Sequence, residues 1–248
     1  MRKTIFVFAI AVMFKPVSAQ ISIGLSVGSN FCTVNQDIDD GFGEGEEETG
    51  YRDVRLTTGF GIGIPVEVKM SDNFSLSSGI HYLQKGSSGK SEIADLYSSM
   101  KVDGCTKFNY VEIPVQGKYY FVNNNIKVYG SAGAGVGYLF SAVAKHTITY
   151  TDFSDDFREV SEQKDRISAK EIKDQNVNQL DISLLAGAGI EYNVWVGRIF
   201  LNVNYIFGVS NMFKDGKMDF DEYGTEIDVK QFNRGLYTSF GYLIPLSQ

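Results

Sequence analysis

The stretch from Phe108 to Ala142 alternates apolar and polar residues on both sides of a short turn, the VNNN of residues 122–125. Successive side chains of a strand point to opposite faces, so a sustained period of two predicts β-structure and excludes a helix. Each arm exceeds the roughly five to six residues of an ordinary strand, whereas a tilted strand that crosses a bilayer needs about nine to eleven. The stretch therefore predicts a hairpin of two membrane-spanning strands.

The two faces of this hairpin differ in charge, and that difference indicates which face meets lipid. Val111, Ile113 and Val115 share one face, and Glu112 and Gln116 share the other. Periodicity alone leaves open a soluble lipocalin-like barrel, in which the apolar face would point inward. The apolar face, however, carries no charge over lengths that span a bilayer, while the other face carries Gly, Ser and charges of both signs. We therefore expect the apolar face to point outward, toward lipid.

The same alternation recurs along the whole chain. The predicted strands are 20–31, 56–70, 74–85, 108–121, 126–142, 180–192, 199–209 and a last one that ends in YTSFGYLIPLSQ. Tight turns alternate with long polar connections, which are 33–53, 86–106, 143–178 and 211–230. Outer-membrane barrels have short periplasmic turns, long outer loops and an even number of strands. The prediction is all-β: an eight-stranded antiparallel transmembrane β-barrel with short periplasmic turns, long extracellular loops and both termini in the periplasm.

Charged residues on the inner face form a candidate network in the lumen. An eight-stranded barrel has an interior just wide enough for side chains to fill, so we expect these charges to pair and to plug the lumen. The predicted members are Glu67, Lys69, Glu112, Lys118, Lys127, Glu191 and Arg198.

The N-terminus reads as a secretory signal peptide. Arg2 and Lys3 precede the apolar run TIFVFAIAVMF, and small residues before Gln20 offer a cleavage site after Ala19. The predicted domains are a signal peptide at 1–19 and a barrel at 20–248. Removal of the signal peptide takes the formal net charge from −7 to −10. We expect no nucleic-acid partner for so acidic a chain, because binding of nucleic-acid phosphates requires Lys and Arg.

Cys32 and Cys105 are the two cysteines of the chain. Export to an oxidising compartment permits a disulfide, and both positions fall at strand ends on the outer rim of the predicted barrel. We predict that they pair, provided that their Cα atoms come within about 7 Å. The alternative is two free thiols.

Catalytic and metal-binding patterns are weak. His81 falls on the inner face, but the sequence offers no GxSxG nucleophile to accompany it. The acidic run around Glu46 supplies carboxylates of the type that Ca²⁺ prefers, but an ordinary solvated loop explains it better. We therefore expect no enzyme activity, no cofactor and no metal.

The whole predicted barrel resembles the PorT-like outer-membrane barrels of Bacteroidetes-type bacteria, which share the small OmpX and OmpA architecture. The resemblance lies in the blocks IGLSVGSNF, GFGIGIPVEVKMSDNFSLSSGIHYLQKG, NYVEIPVQGKYYF and GSAGAGVGYLFSA. The last strand is also similar to the assembly signal of outer-membrane proteins at Ser239, Gly241, Ile244 and Leu246, but it ends in Ser-Gln and not in an aromatic residue. The resemblance implies the cell outer membrane as location, and outer-membrane lipid and the barrel-assembly machinery as partners.

Two functions remain open at this stage. The first is a non-enzymatic barrel with a plugged lumen and a structural or surface-interaction role. The second, implied by the resemblance, is an accessory role in type IX protein secretion or transport with envelope partners.

Overall fold

A computed structural model describes residues 20–39, 53–94, 97–154, 157–174, 176–219 and 226–246. The predicted signal peptide and the acidic run around Glu46 lie outside these residues. Within the described parts, no helix is long and apolar enough to cross a membrane.

Eight long antiparallel strands form a closed ring. They are β1 (Ile21–Asp39), β3 (Thr57–Lys69), β4 (Phe74–Ala94), β5 (Ser98–Asn123), β6 (Ile126–Asp152), β8 (Leu180–Val194), β9 (Gly197–Gly208) and β11 (Glu226–Pro245). Each strand pairs with the next in this order, and β1 pairs with β11 to close the ring. Short strands β2 (Asp53–Arg55), β7 (Phe157–Ser168) and β10 (Lys217–Asp219) add to β4, β6 and β11 respectively. The predicted fold class is confirmed.

The ring has two unlike ends, named here by their connections. The turn end carries the tight connections at 70–73, 124–125 and 195–196, and the loop end carries the long ones. A short helix, α1 (Ala169–Asp174), lies at the loop end. Its Ile172 is 2% exposed and packs in a cluster with Tyr110, Leu139 and Ala142, so the helix covers part of the mouth at that end.

Two of the connections predicted as polar loops contain long paired strands. Within 86–106, β4 and β5 pair from Gly86↔Lys107 to Ala94↔Ser99, and within 143–178, β6 pairs with both β5 and β7. We call these paired extensions of β4, β5, β6 and β7 the loop-end sheet. Polar strands remain stable there because each neighbouring strand supplies a full hydrogen-bonding ladder. This pairing is non-local, and without an apolar face the segments carried no strand pattern in the sequence.

The inner and outer faces of the wall follow the predicted alternation. Val111, Ile113 and Val115 are 41%, 51% and 47% exposed on the outer face, while Glu112 and Gln116 on the inner face are buried. An uncharged apolar band of this kind is stable against hydrocarbon and not against water, which is the arrangement of a membrane barrel.

Candidate functional site

Four luminal charges from four strands meet near the turn end of the barrel. Lys118 Nζ lies 2.7 Å from Glu67 Oε2 and 3.2 Å from Glu191 Oε1. Arg198 joins the same two carboxylates, with Nη2 at 2.9 Å from Glu67 Oε1 and Nη1 at 2.8 Å from Glu191 Oε2. These residues form a closed ring of two cations and two carboxylates, which we call the turn-end cluster.

Polar neighbours complete the hydrogen bonding of the turn-end cluster. The Tyr120 hydroxyl lies 3.2 Å from Glu67 Oε1 and 3.1 Å from Glu191 Oε1. Arg198 Nη2 lies 3.3 Å from the Ser22 hydroxyl, and Lys118 Nζ lies 4.6 Å from the centre of the Tyr129 ring. Buried charges are tolerated when they are paired and their remaining hydrogen-bonding positions are filled, and both conditions are met here. The four charged side chains therefore satisfy one another inside the lumen.

A second group of charges, the loop-end cluster, consists of Lys85, Glu112 and Asp181. Lys85 Nζ lies 2.6 Å from Glu112 Oε2 and 2.8 Å from Asp181 Oδ2. The Ser210 hydroxyl donates to Asp181 Oδ1 at 3.1 Å, and Lys85 Nζ lies 5.1 Å from the centre of the Tyr110 ring. All three charged side chains are buried. This cluster links β4, β5 and β8 inside the lumen, toward the loop end.

The predicted luminal charges lie in the turn-end cluster, in the loop-end cluster and near the mouth at the turn end. Glu67, Lys118, Glu191 and Arg198 meet in the turn-end cluster, and Glu112 belongs to the loop-end cluster. Lys69 pairs with the exposed Asp72 in the adjoining turn at 3.0 Å. Lys127 lies near the mouth at the turn end, with Nζ 5.7 Å from the centre of the Tyr120 ring.

Sequence reasoning missed Lys85 and Asp181. A signal for both was present: Asp181 alternates with the outward Leu180 and Ile182, and Lys85 follows the inward Leu83 at a spacing of two. Both residues lie where a predicted strand begins or ends, and they were therefore left out of the inner face. The structure extends β4 to Ala94, which places Lys85 well inside the strand.

A small cavity of about 60 Å³ separates the two clusters. Its lining includes Lys118 from one cluster, Glu112 from the other, and His81. Tyr129 OH, Asn202 Oδ1 and Tyr237 OH also border it and have no hydrogen-bond partner within the described protein atoms. A polar cavity needs roughly 10–15 Å³ of this volume to hold a water, so this cavity has room for water and not for a drug-sized ligand.

Cys32 and Cys105 are free thiols in the structure, and the predicted bond between them is not formed. They nevertheless contact the same residue, Thr57: Cys32 Sγ lies 3.5 Å from its carbonyl oxygen, and Cys105 Sγ lies 3.4 Å from its Oγ1. The fold thus brings β1 and β5 close together at the loop end, although these strands are not neighbours in the ring. The disulfide remains a prediction.

Metal binding lacks a built site in the parts of the chain that the structure describes. No group of three or more His, Cys, Asp or Glu side chains there is placed to hold a metal ion. His81 lines the cavity beside Glu112, Gln116 and Ser77, on the wall formed by β4 and β5. The luminal charges are therefore best explained by packing and pairing with one another.

Several solved outer-membrane barrels are similar to this chain. The outer membrane protein OprG from Pseudomonas aeruginosa is 12% identical, with a TM-score of 0.50 over 93% of this chain and 97% of that one. Ail of Yersinia pestis is 15% identical, with a TM-score of 0.35 over 90% and 99%. Neisserial surface protein A is 14% identical, with a TM-score of 0.36 over 90% and 96%. At these identities the likeness to OprG concerns the fold alone.

A comparison with curated proteins found no significant match. The family model described as outer membrane protein beta-barrel domain matches residues 15–214, which is most of the chain. This match agrees with the closed ring, the apolar outer wall and the polar lumen described above. The chain belongs to the outer membrane protein beta-barrel domain family, and its location is the cell outer membrane.

Proposed function

We propose that this protein is a non-enzymatic outer-membrane barrel with a closed lumen, and that it acts through contacts made by its loop-end sheet. The observation that carries the proposal is the pair of buried charge clusters, which obstruct the lumen on both sides of a cavity of about 60 Å³. A lumen closed in this way does not suit solute transport. The outer surface is then the part of the molecule available for a role.

The loop-end sheet supports the interaction part of the proposal. β5 and β6 have 26 and 27 residues, far more than the roughly eleven that a bilayer needs. The part of β6 in the loop-end sheet runs from Val143 to Asp152, about ten residues or roughly 33 Å of strand at 3.3 Å per residue. Within this sheet, β7 is exposed along almost its whole length and carries charges of both signs, among them Arg158, Glu159, Lys164 and Asp165. An ordered, charged surface of this size suits binding of a protein or another envelope component.

The test combines a conductance measurement with a truncation. We expect the purified protein in planar bilayers to show no steady ion conductance. We also expect deletion of 146–163, the tip of the β6–β7 hairpin, to abolish cross-links between this protein and other envelope components at the cell surface, while the barrel still folds. A second variant deletes 90–103, the tip of the β4–β5 hairpin in the same sheet. Steady conductance would refute the closed lumen, and cross-links that survive both deletions would refute the role of the sheet.

The second candidate is an accessory role in type IX protein secretion or transport with envelope partners. It is favoured by the PorT-like blocks around Tyr110–Phe121 and by the Bacteroidetes-type character that they imply. In the structure this block forms the wall of β5, and it contributes Glu112 and Lys118 to the two clusters. Deletion of the gene, followed by measurement of the export of cargo with a type IX signal, separates the two candidates. Unchanged export would remove this one.

The last strand supports a further part of the proposal, namely assembly by the barrel-assembly machinery. Within β11, Gly241 lies opposite Ser26 of β1, and Ile244 lies opposite Ile23, so this strand closes the ring. We expect substitution of Gly241 by Val to slow membrane insertion, because a Cβ there would lie 2.4 Å from the Leu25 carbonyl oxygen and from the Phe200 ring. Heat-modifiable migration on gels measures the folded fraction.

A further inference from the structure

Prolines and glycines form a row across five neighbouring strands of the wall. Pro65 of β3 lies opposite Gly79 of β4, and Pro114 of β5 lies opposite Gly135 of β6. The registers on either side also align Gly24 of β1 with Pro65, and Gly79 with Pro114. The row therefore reads Gly, Pro, Gly, Pro, Gly around the barrel. Proline has no N–H group to donate, so strands tolerate it poorly away from their edges.

The ladder between β4 and β5 is interrupted at this row. Pairing runs from Phe74↔Tyr119 to Ser77↔Gln116 and resumes, in the same register, at His81↔Glu112. The interruption is centred on Gly79 and Pro114. Gly79 also has a φ of 151°, which residues with a side chain rarely adopt. Because Pro114 cannot donate to the carbonyl group that faces it, the wall loses a backbone hydrogen bond here.

The ladder between β1 and β3 is interrupted in the same way. Pairing stops at Ile23↔Val66 and resumes at Ser26↔Gly63, so that Pro65 sits in the gap opposite Gly24. The ladder between β3 and β4 is continuous from Gly61↔Leu83 to Lys69↔Ser75. The β3–β4 hairpin is thus well paired within itself and is joined to the rest of the wall by two weakened seams.

The other side of the barrel has no such interruption. Pairing is continuous from Ile126↔Tyr192 to Tyr138↔Leu180 between β6 and β8, and from Ser183↔Gly208 to Val194↔Gly197 between β8 and β9. Pairing between β9 and β11 and between β11 and β1 is likewise unbroken. A lost backbone hydrogen bond is costly in a membrane, where no water replaces it. Backbone pairing is therefore weaker along the two seams, while the ion pairs of Glu67 and Lys85 hold the hairpin on either side of the row.

The internal cavity lies directly behind the row. Pro65, Pro114, Ser77, His81 and Gln116 all line it. The two charge clusters obstruct the lumen along the barrel axis on both sides of this cavity. The interrupted part of the wall therefore separates this cavity from the bilayer.

We propose that the β3–β4 hairpin is a hinged panel of the barrel wall, which opens along the two proline seams and connects the internal cavity laterally with the membrane. The inference goes beyond the closed lumen of the proposed function, since axial closure and lateral opening are separate properties. A panel of this kind admits water and other molecules of a few heavy atoms, because the cavity measures about 60 Å³.

Hydrogen–deuterium exchange of the full barrel in lipid nanodiscs tests the panel. We expect amides at 76–82 and 22–27 to exchange about tenfold faster than amides at 184–190 in the unbroken wall, since local opening sets the exchange rate. Pro114→Val should slow exchange at 76–82, and Pro65→Val should slow exchange at 22–27, because each restores an N–H donor to its own seam. Pro245→Val, at the end of β11, is the matched control and should leave both segments unchanged.

A second measurement follows access to the cavity. In a Cys32→Ser, Cys105→Ser background, Ser77→Cys places a thiol on the cavity wall. We expect methyl methanethiosulfonate, a small neutral reagent that leaves only an S-methyl group on the thiol, to label it about tenfold more slowly when Pro114→Val is added, since labelling requires the same opening. Equal exchange of 76–82 and 184–190 in the unsubstituted protein would overturn the proposal even if the variants do not fold. Unchanged labelling with Pro114→Val would overturn the lateral route, whereas conductance and surface cross-links test the proposed function independently.

Discussion

Glu191 shows most directly what the luminal charges contribute. Its side chain is fully buried and contacts both Lys118 and Arg198. In Glu191→Gln the amide keeps the size of the side chain, but the two cations then share Glu67 alone. Breaking a buried ion pair by removing one partner typically costs about 3–5 kcal/mol. We expect a loss of this order in the free energy of unfolding, measured by urea denaturation in lipid vesicles.

Two further variants control this prediction. Lys69→Gln removes an ion pair with the exposed Asp72 and should cost only about 0–1 kcal/mol. Adding Arg198→Gln to Glu191→Gln should recover part of the loss, since residues in one network are not additive. A Glu191→Gln protein as stable as the unsubstituted one would contradict the interpretation of the turn-end cluster as a structural plug.

Cys32 and Cys105 provide a second test at the level of single residues. Both thiols contact Thr57, and the protein resides in an oxidising compartment. We expect no reactive thiol in protein that is extracted and denatured without reductant, and two after reduction. The bond would stabilise the barrel by about 2–4 kcal/mol, since it restricts the unfolded chain. Detection of two thiols before reduction would show that the free form in the structure persists in the cell.

Helix α1 shows how a short element holds its place at the loop end. Ser168 and Glu171 form a capping box: the Ser168 N–H and hydroxyl donate to Glu171 Oε2 at 2.7 and 2.8 Å. These hydrogen bonds lower the pKa of Glu171 below its ordinary value. The folded helix therefore favours the carboxylate form, and Ile172 keeps its place against Tyr110 and Leu139.

The capping box predicts a local pH dependence. A carboxyl group whose pKa is lowered by folding stabilises the helix at pH values above its ordinary pKa, and this contribution is lost as the pH falls through the lower folded pKa. The protection factor of the Ile172 amide, which corrects for the intrinsic pH dependence of exchange, should therefore fall on acidification, while protection in β8 stays high. Glu171→Gln should remove most of the pH dependence at Ile172. An unchanged profile in this variant would assign the effect to another group.

The orientation of the barrel in the outer membrane is a property of the whole molecule. The loop-end sheet should face outward and the tight turns should face the periplasm, as in other outer-membrane barrels. Protease treatment of intact cells should cut within 33–53 or 143–178 and spare the turns at Asn73 and Asn124. Cleavage at those turns, with the long connections intact, would reverse the orientation. Permeabilised cells provide the control in which both ends are accessible.

Local pattern predicted the barrel wall well and the loop end poorly. Val111, Glu112 and Ile113 reveal their faces by alternation alone, since a period of two depends only on near neighbours in the chain. Lys101 and Thr149 belong to the loop-end sheet, where β5 and β6 pair without a continuous apolar face. Such pairing depends on which strands the barrel brings together, and the sequence does not record that information locally.

The sequence by itself determined the number of strands in the ring, the lipid-facing side and the presence of charges inside the lumen. Each of these follows from alternation within single strands, read one strand at a time. Only the tertiary structure decided that Glu67, Lys118, Glu191 and Arg198 meet as one ring while Glu112 joins Lys85 and Asp181. It likewise aligned Pro65 and Pro114 in one row across the wall. Both arrangements depend on the register between strands, which the closure of the ring sets for all eight strands at once.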